Sequence, residues 1–96
     1  MKTDTIAEVG IDNNERLYVR PSTASFDYIY RAAMEVSWDT SCRQLFSPKP
    51  REWTYVMWFV QILAAAKGEY GTQLDLTPDT VWTNIPESIK SEIMAI

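Results

Sequence analysis

Residues 51–71, REWTYVMWFVQILAAAKGEYG, limit what this chain can become more than any other stretch. The segment follows Pro48 and Pro50, carries Ala64-Ala65-Ala66 and reaches Gly68 and Gly71, which is the signature of a long helix that stops at those glycines. At about 100° per residue, Trp53, Val56, Met57, Val60, Leu63 and Ala64 form one apolar face. Tyr55, Phe59, Ile62 and Ala66 form a second, with Trp58 at its edge. Only a wedge holding Thr54, Gln61 and Ala65 suits water. A helix that is apolar nearly all round has to be covered on more than one side.

The first cover is a sheet. In TIAEVGIDNNERLYVRP, two runs rich in Ile, Val, Leu and Tyr flank Asp12-Asn13-Asn14-Glu15, residues that favour turns. This predicts a β-hairpin with strands over about 5–11 and 16–20, closed by Pro21, which cannot donate to a ladder. In YIYRAAMEVSWD, Tyr28, Tyr30, Ala32, Met34, Val36 and Trp38 share one parity, while Ile29, Arg31, Ala33, Glu35, Ser37 and Asp39 share the other. Such alternation predicts a strand with one greasy face. A helix over 26–35 competes, with Phe26, Ile29, Tyr30 and Ala33 on one stripe, but that stripe collapses at Ser37. Asp39–Cys42 then reads as a turn and RQLFS as a return strand. The expected fold is a single α+β domain over 1–96: a four-stranded antiparallel meander, the long helix packed on one face, and a short C-terminal helix.

That last helix is read from IPESIKSEIMAI, which spaces Ile85, Ile89, Ile93 and Ile96 as a narrow apolar stripe. Between the helices, QLDLT reads as a short edge strand and TPDT as a helix start, with Thr77 as cap and Pro78 in the first turn. Four isoleucines hardly match Tyr55, Trp58, Phe59 and Tyr70. The remainder of that face calls for a ligand pocket or a subunit interface.

Composition removes several classes of function. Nine Lys and Arg scattered among thirteen Asp and Glu, net charge −4, make a poor footprint for a phosphate backbone, so no nucleic-acid partner is expected. The longest apolar stretch, Trp53–Ala66, falls short of the roughly 20 residues a bilayer span needs, so no membrane partner is expected. The lone Cys42 and the absence of an apolar leader in MKTDTIAEVG suit a cytoplasmic protein.

Catalytic chemistry is thinly supplied. With no histidine, the Ser-His-Asp and Cys-His arrangements and the commonest zinc ligand are absent. Cys42 beside Arg43 has no base to activate it and reads as incidental. Glu35 and Asp39 share a parity, which suits a solvated sheet surface better than a carboxylate pair. Glu52 at the start of the long helix is explained by the helix dipole. DNNE at 12–15 lacks the glycine and the terminal acid of a calcium loop. Gly68-Glu69-Tyr70-Gly71 has the spacing of an RNA-clamping loop, but carries an acid where phosphate would sit. No catalytic residue, metal site or cofactor is expected, and the balance weighs against an enzyme.

The aromatics remain. Trp53 and the greasy parity of the long strand are expected in the core. Tyr55, Trp58, Phe59, Ile62 and Tyr70 are expected to form an interface, because Trp and Tyr carry much of the energy where partners meet. A pocket lined by Tyr28, Tyr30, Trp38 and Trp58, with Arg31 at its mouth, is the competing use.

At LYVRP, YIYRAAMEVSWD and SPKPREWTYVMWFVQI the chain resembles the small α+β proteins encoded by integron mobile gene cassettes. The likeness lies in the order of elements and an aromatic-rich central helix. It implies accessory cargo of a mobile element, often oligomeric, and carries over no catalytic residue. The expected role is a binding or interaction module acting as a homo-oligomer, most simply a dimer. A small-molecule binder or minor enzyme with a Tyr/Trp-lined pocket, and an inhibitor or antidote of a partner enzyme, supported by a basic protein partner, are the alternatives.

Overall fold

The hairpin forms where its turn chemistry places it. Strand β1 (Lys2–Ile11) pairs antiparallel with β2 (Leu17–Pro21), with Ile11 opposite Leu17. Between them, the Asp12 carboxylate accepts from the backbone N–H groups of Asn14 and Arg16 and from Arg16 Nε, each at 2.9 Å. An acid satisfying its own turn is why this stretch reverses the chain. The coordinates are a computed structural model that describes residues 2–31 and 35–96.

The meander is not formed. The sheet is mixed and six-stranded, with β3 (Ser37–Asp39), β4 (Gln44–Phe46), β2, β1 and β5 (Thr72–Asp75) in that spatial order and β6 (Val81–Thr83) also beside β1. It is β4, not β3, that joins the hairpin, with Tyr18 opposite Phe46 and Val19 opposite Leu45. On its far edge β1 takes two parallel partners end to end. Lys2–Thr5 pair with Thr72–Asp75, and Glu8–Gly10 pair with Val81–Thr83. Where those half-strands leave a gap, the buried Thr80 hydroxyl donates to the Ile6 carbonyl at 2.7 Å. The edge strand expected at QLDLT is β5, but its pairing is parallel.

The predicted strand over 28–39 shrinks to β3. Ile29–Arg31 is a single 3₁₀ turn, and the part of the prediction on 32–34 lies outside the described residues. The parity also fails: Ile29 is fully buried while Tyr28 and Tyr30 are 58% and 56% exposed. Glu35, at φ 70°, breaks the extension just before β3. Likewise TPDT starts no helix. Thr77 Oγ1 accepts from the Asp79 N–H and the Thr80 N–H donates to the Thr77 carbonyl, a cap-like turn that leads into β6.

Helix α1 (Tyr55–Tyr70) begins at Thr54, whose hydroxyl accepts from the Met57 N–H, and ends at Gly71 in the left-handed region. Gly68 lies inside the helix rather than ending it. α1 carries the chain from β4 past β2 and β1 to β5. Its inward residues Trp58, Phe59, Ile62, Ala65 and Ala66 join Ile6, Val9, Leu17, Val19 and Leu45 in one core. Helix α2 (Glu87–Met94) closes the end of that core with Ile93 buried and Ile85 and Ile89 half-buried, while Ile96 is exposed. No described helix is long and apolar enough to cross a membrane.

Candidate functional site

Two outward surfaces bring chemistry together. The first lies at the start of α1. Ser47, fully buried, donates its N–H to the Leu17 carbonyl at 2.9 Å and locks the exit of β4 to β2. From there Pro48 and Pro50 hold the chain extended toward α1. Lys49 pairs with Glu15, and Arg51 pairs with Glu35 at 3.2 Å. Trp53 then tilts against Trp58, with ring centroids 4.8 Å apart. Glu35, Pro48, Lys49, Arg51, Glu52, Trp53, Trp58 and Gln61 line a half-open cavity of about 570 Å³. An apolar groove of about 300 Å³ continues from Trp53 and Gln61 along Val56, Met57 and Val60.

The second surface is the face of the sheet turned away from α1. The Glu8 carboxylate accepts from the Tyr18 hydroxyl at 2.6 Å and the Thr83 hydroxyl at 2.5 Å, and pairs with Arg20. Burial would raise its pKa, but the Thr83 and Tyr18 hydroxyls and Arg20 outweigh burial and hold the carboxyl below its ordinary value. The Tyr18 phenol moves the other way, raised by burial and by its bond to Glu8. The Tyr18 ring lies across Gly10, where an added Cβ would fall 2.3 Å from it. Each polar group here has a partner, so the cluster fastens β1, β2 and β6 together and leaves no group free to act on a ligand.

A family model for integron cassette protein Hfx_Cass5 matches residues 4–80. The chain belongs to that family. A solved structure of integron cassette protein Hfx_Cass5, from the mobile metagenome of the North West Arm sewage outfall, is 47% identical. The comparison covers 99% of this chain and 95% of that one, with a TM-score of 0.51. No curated protein matches. The Hfx_Cass5 match takes in every residue lining the cavity and stops before β6 and α2.

Against this frame, the residues expected to line a pocket are dispersed. Tyr28 and Tyr30 stand on the surface with the Arg31 guanidinium over both rings, 4.9 and 6.0 Å from their centroids. Trp38 packs edge-on to Phe26 at 5.8 Å. Trp58 is the one of the five that lines the cavity at the start of α1.

The residues expected at an interface face inward. Phe59 and Ile62 are fully buried on the sheet and Trp58 nearly so. Tyr55 donates its hydroxyl to the Glu15 carbonyl at 2.9 Å, and Tyr70 accepts from the Tyr28 N–H while its ring meets Phe26. The opposite side of α1 faces solvent. Trp53, expected in the core, is 39% exposed, Met57 46% and Val60 45%. Gln61, read as water-facing, lines both cavities, and Ala65 is buried. Lys49, Arg51 and Glu35 meet only in three dimensions; no spacing in the sequence signals them. Cys42 is exposed, and among the described residues no group of three acids or thiols could hold a metal ion.

Proposed function

We propose that this Hfx_Cass5 family member is an interaction module that works as a homodimer through the outer face of α1. The observation that carries the reading is an apolar run, Trp53 just ahead of α1 with Met57 and Val60 on the helix's outer face, all about 40% exposed or more, while the opposite face of the helix fills the core. Isolated exposed apolar side chains need no explanation, but a contiguous stripe bordered by an apolar groove marks a contact surface. On the outward face of the sheet, among the described residues, the Tyr18 ring is buried and Phe46 lies under Arg16, while Val81 is the large apolar side chain left exposed there.

Light scattering behind size exclusion, run over a wide dilution series, tests this. The expected mass at high concentration is twice 11.1 kDa. Val60→Asp should keep the circular dichroism of the parent and fall to the monomer mass. A parent that is monomeric at every concentration, or a variant that stays dimeric, overturns the reading.

The cavity supports a second use, a small-molecule site walled by Trp53 and Trp58. Saturable quenching of tryptophan fluorescence in a metabolite screen, lost in Trp53→Ala, is the expected result.

A further inference from the structure

We infer that two copies pair with their α1 helices antiparallel, so that Trp53 of each copy sits over Gly68 of the other; this rests on the self-pairing reading above. The outer face of α1 runs Met57, Val60, Ala64, Gly68, within an arc of about 80° on the helix wheel, and Trp53, just ahead of the Thr54 cap, lines the groove beside Met57 and Val60. Side-chain volume falls along it, from an indole to a bare backbone. A two-fold interface uses the same patch on both copies. Antiparallel pairing centred near Val60 sets Trp53 opposite Gly68 and Met57 opposite Ala64, large against small at each end. Parallel pairing sets the two indoles against each other and leaves a void at Gly68.

Gly68 is an independent pointer to close approach. Inside a helix, glycine costs about 0.8–1 kcal/mol relative to alanine. Gly71 earns its place through a left-handed φ of 62°, and Gly10 through Tyr18. Gly68 has neither reason: its φ is helical, and a Cβ built on it meets nothing within 4 Å in this chain. Open space over a glycine on an apolar face is a seat for a bulky side chain from outside.

Charge agrees. Glu52 is exposed beside Trp53, and Lys67 is exposed beside Gly68. Reversing one helix brings each Glu52 near the other copy's Lys67, whereas parallel helices put like charges together.

The test uses two variants in a Cys42→Ser background, Met57→Cys and Ala64→Cys, mixed in equal amounts and treated with a short bismaleimide. Antiparallel pairing yields the mixed 57–64 adduct as the main product. Adducts of each variant with itself only, from a parent of dimer mass, overturn the register and leave self-pairing intact. A parent that is monomeric throughout overturns both. Gly68→Trp is the second arm. Because the space over Gly68 is open, the variant is expected to fold and to lose the dimer; an unchanged dimer mass overturns the seat.

Discussion

The outward face of the sheet and the outward face of α1 both carry aromatic side chains, yet they end in opposite states. On the sheet, Tyr18 is 8% exposed, held flat across Gly10 by its bond to Glu8, and the Phe46 ring lies under the Arg16 guanidinium at 4.5 Å. On the helix, Trp53, Met57 and Val60 stand open, and the ion pairs nearby, Lys49–Glu15 and Arg51–Glu35, lie at the end of the stripe rather than over it. A cross-strand neighbour and a long charged side chain can cover a ring within one sheet. On the outer side of α1 no such cover is in place over Trp53, Met57 and Val60, which stay exposed. The sheet face therefore spends its chemistry on the fold, and the helix face is left for contact with another molecule.

Substitutions on the two faces should separate stability from assembly. The largest effect is expected at Glu8→Ala, which strands two hydroxyls and a guanidinium and should cost about 3 kcal/mol in denaturant unfolding. A loss near zero would mean that the cluster is not closed in solution. Gly10→Ala drives a methyl into the Tyr18 ring and should cost about 1–2 kcal/mol. Near-ultraviolet circular dichroism should report the displaced tyrosine.

Acid should act through the sheet and its hairpin. Burial raises the pKa of Glu8 and of Asp4, but hydrogen bonds outweigh it and both end lowered, Asp4 through the backbone N–H groups of Ala24, Thr23 and Thr5. A folded pKa below the unfolded one, about 4.3 for Glu and 3.9 for Asp, gives stability that is complete above those values. That stability is lost as pH falls through the lowered ones. Unfolding free energy should therefore decline below about pH 4.5, and Glu8→Gln should flatten the decline.

On the helix side, Met57→Gln should change monomer stability by no more than about 0.5 kcal/mol while weakening self-association. The finest contrast is Gly68→Ala. It should raise monomer stability by up to about 1 kcal/mol through helix propensity and yet loosen the dimer. A variant that gains stability and pairs as tightly as the parent would separate Gly68 from the contact.

Local signals were legible, and non-local ones were not. Asp12 marks its turn, Gly71 ends α1 and the isoleucine stripe marks α2, whereas the start of α1 is read too early: Glu52 and Trp53 precede the Thr54 cap, so Glu52 is not in the first turn. The misreading of 28–39 has a specific source. Tyr28 and Tyr30 alternate as strand residues would, but they stack with Arg31 in solvent, and Ile29 takes the core position. The competing helical stripe had Phe26 and Ile29 correctly on one side, three residues apart, as a single turn allows. The rotation of α1 was unreadable because both of its faces are greasy. What orients it is size, since Ala65 and Ala66 let the helix lie close to the sheet while Phe59 and Ile62 fill it. The candidate cavity was not legible: Trp58 is expected in a different pocket, with Tyr28, Tyr30 and Trp38, and Glu35, Lys49 and Arg51 converge from segments that share no motif.

The two half-strands laid end to end along β1 also set a timetable for synthesis. During synthesis β1 keeps part of one edge open until residues 81–83 have emerged, because β6 completes it and Thr80 clips the gap at Ile6. An unpaired edge held open while residues 12–80 are added is a template for misassociation. The β1–β2 hairpin therefore waits for β6, and truncation before Thr80 should send the nascent protein toward aggregates rather than toward a smaller stable fold.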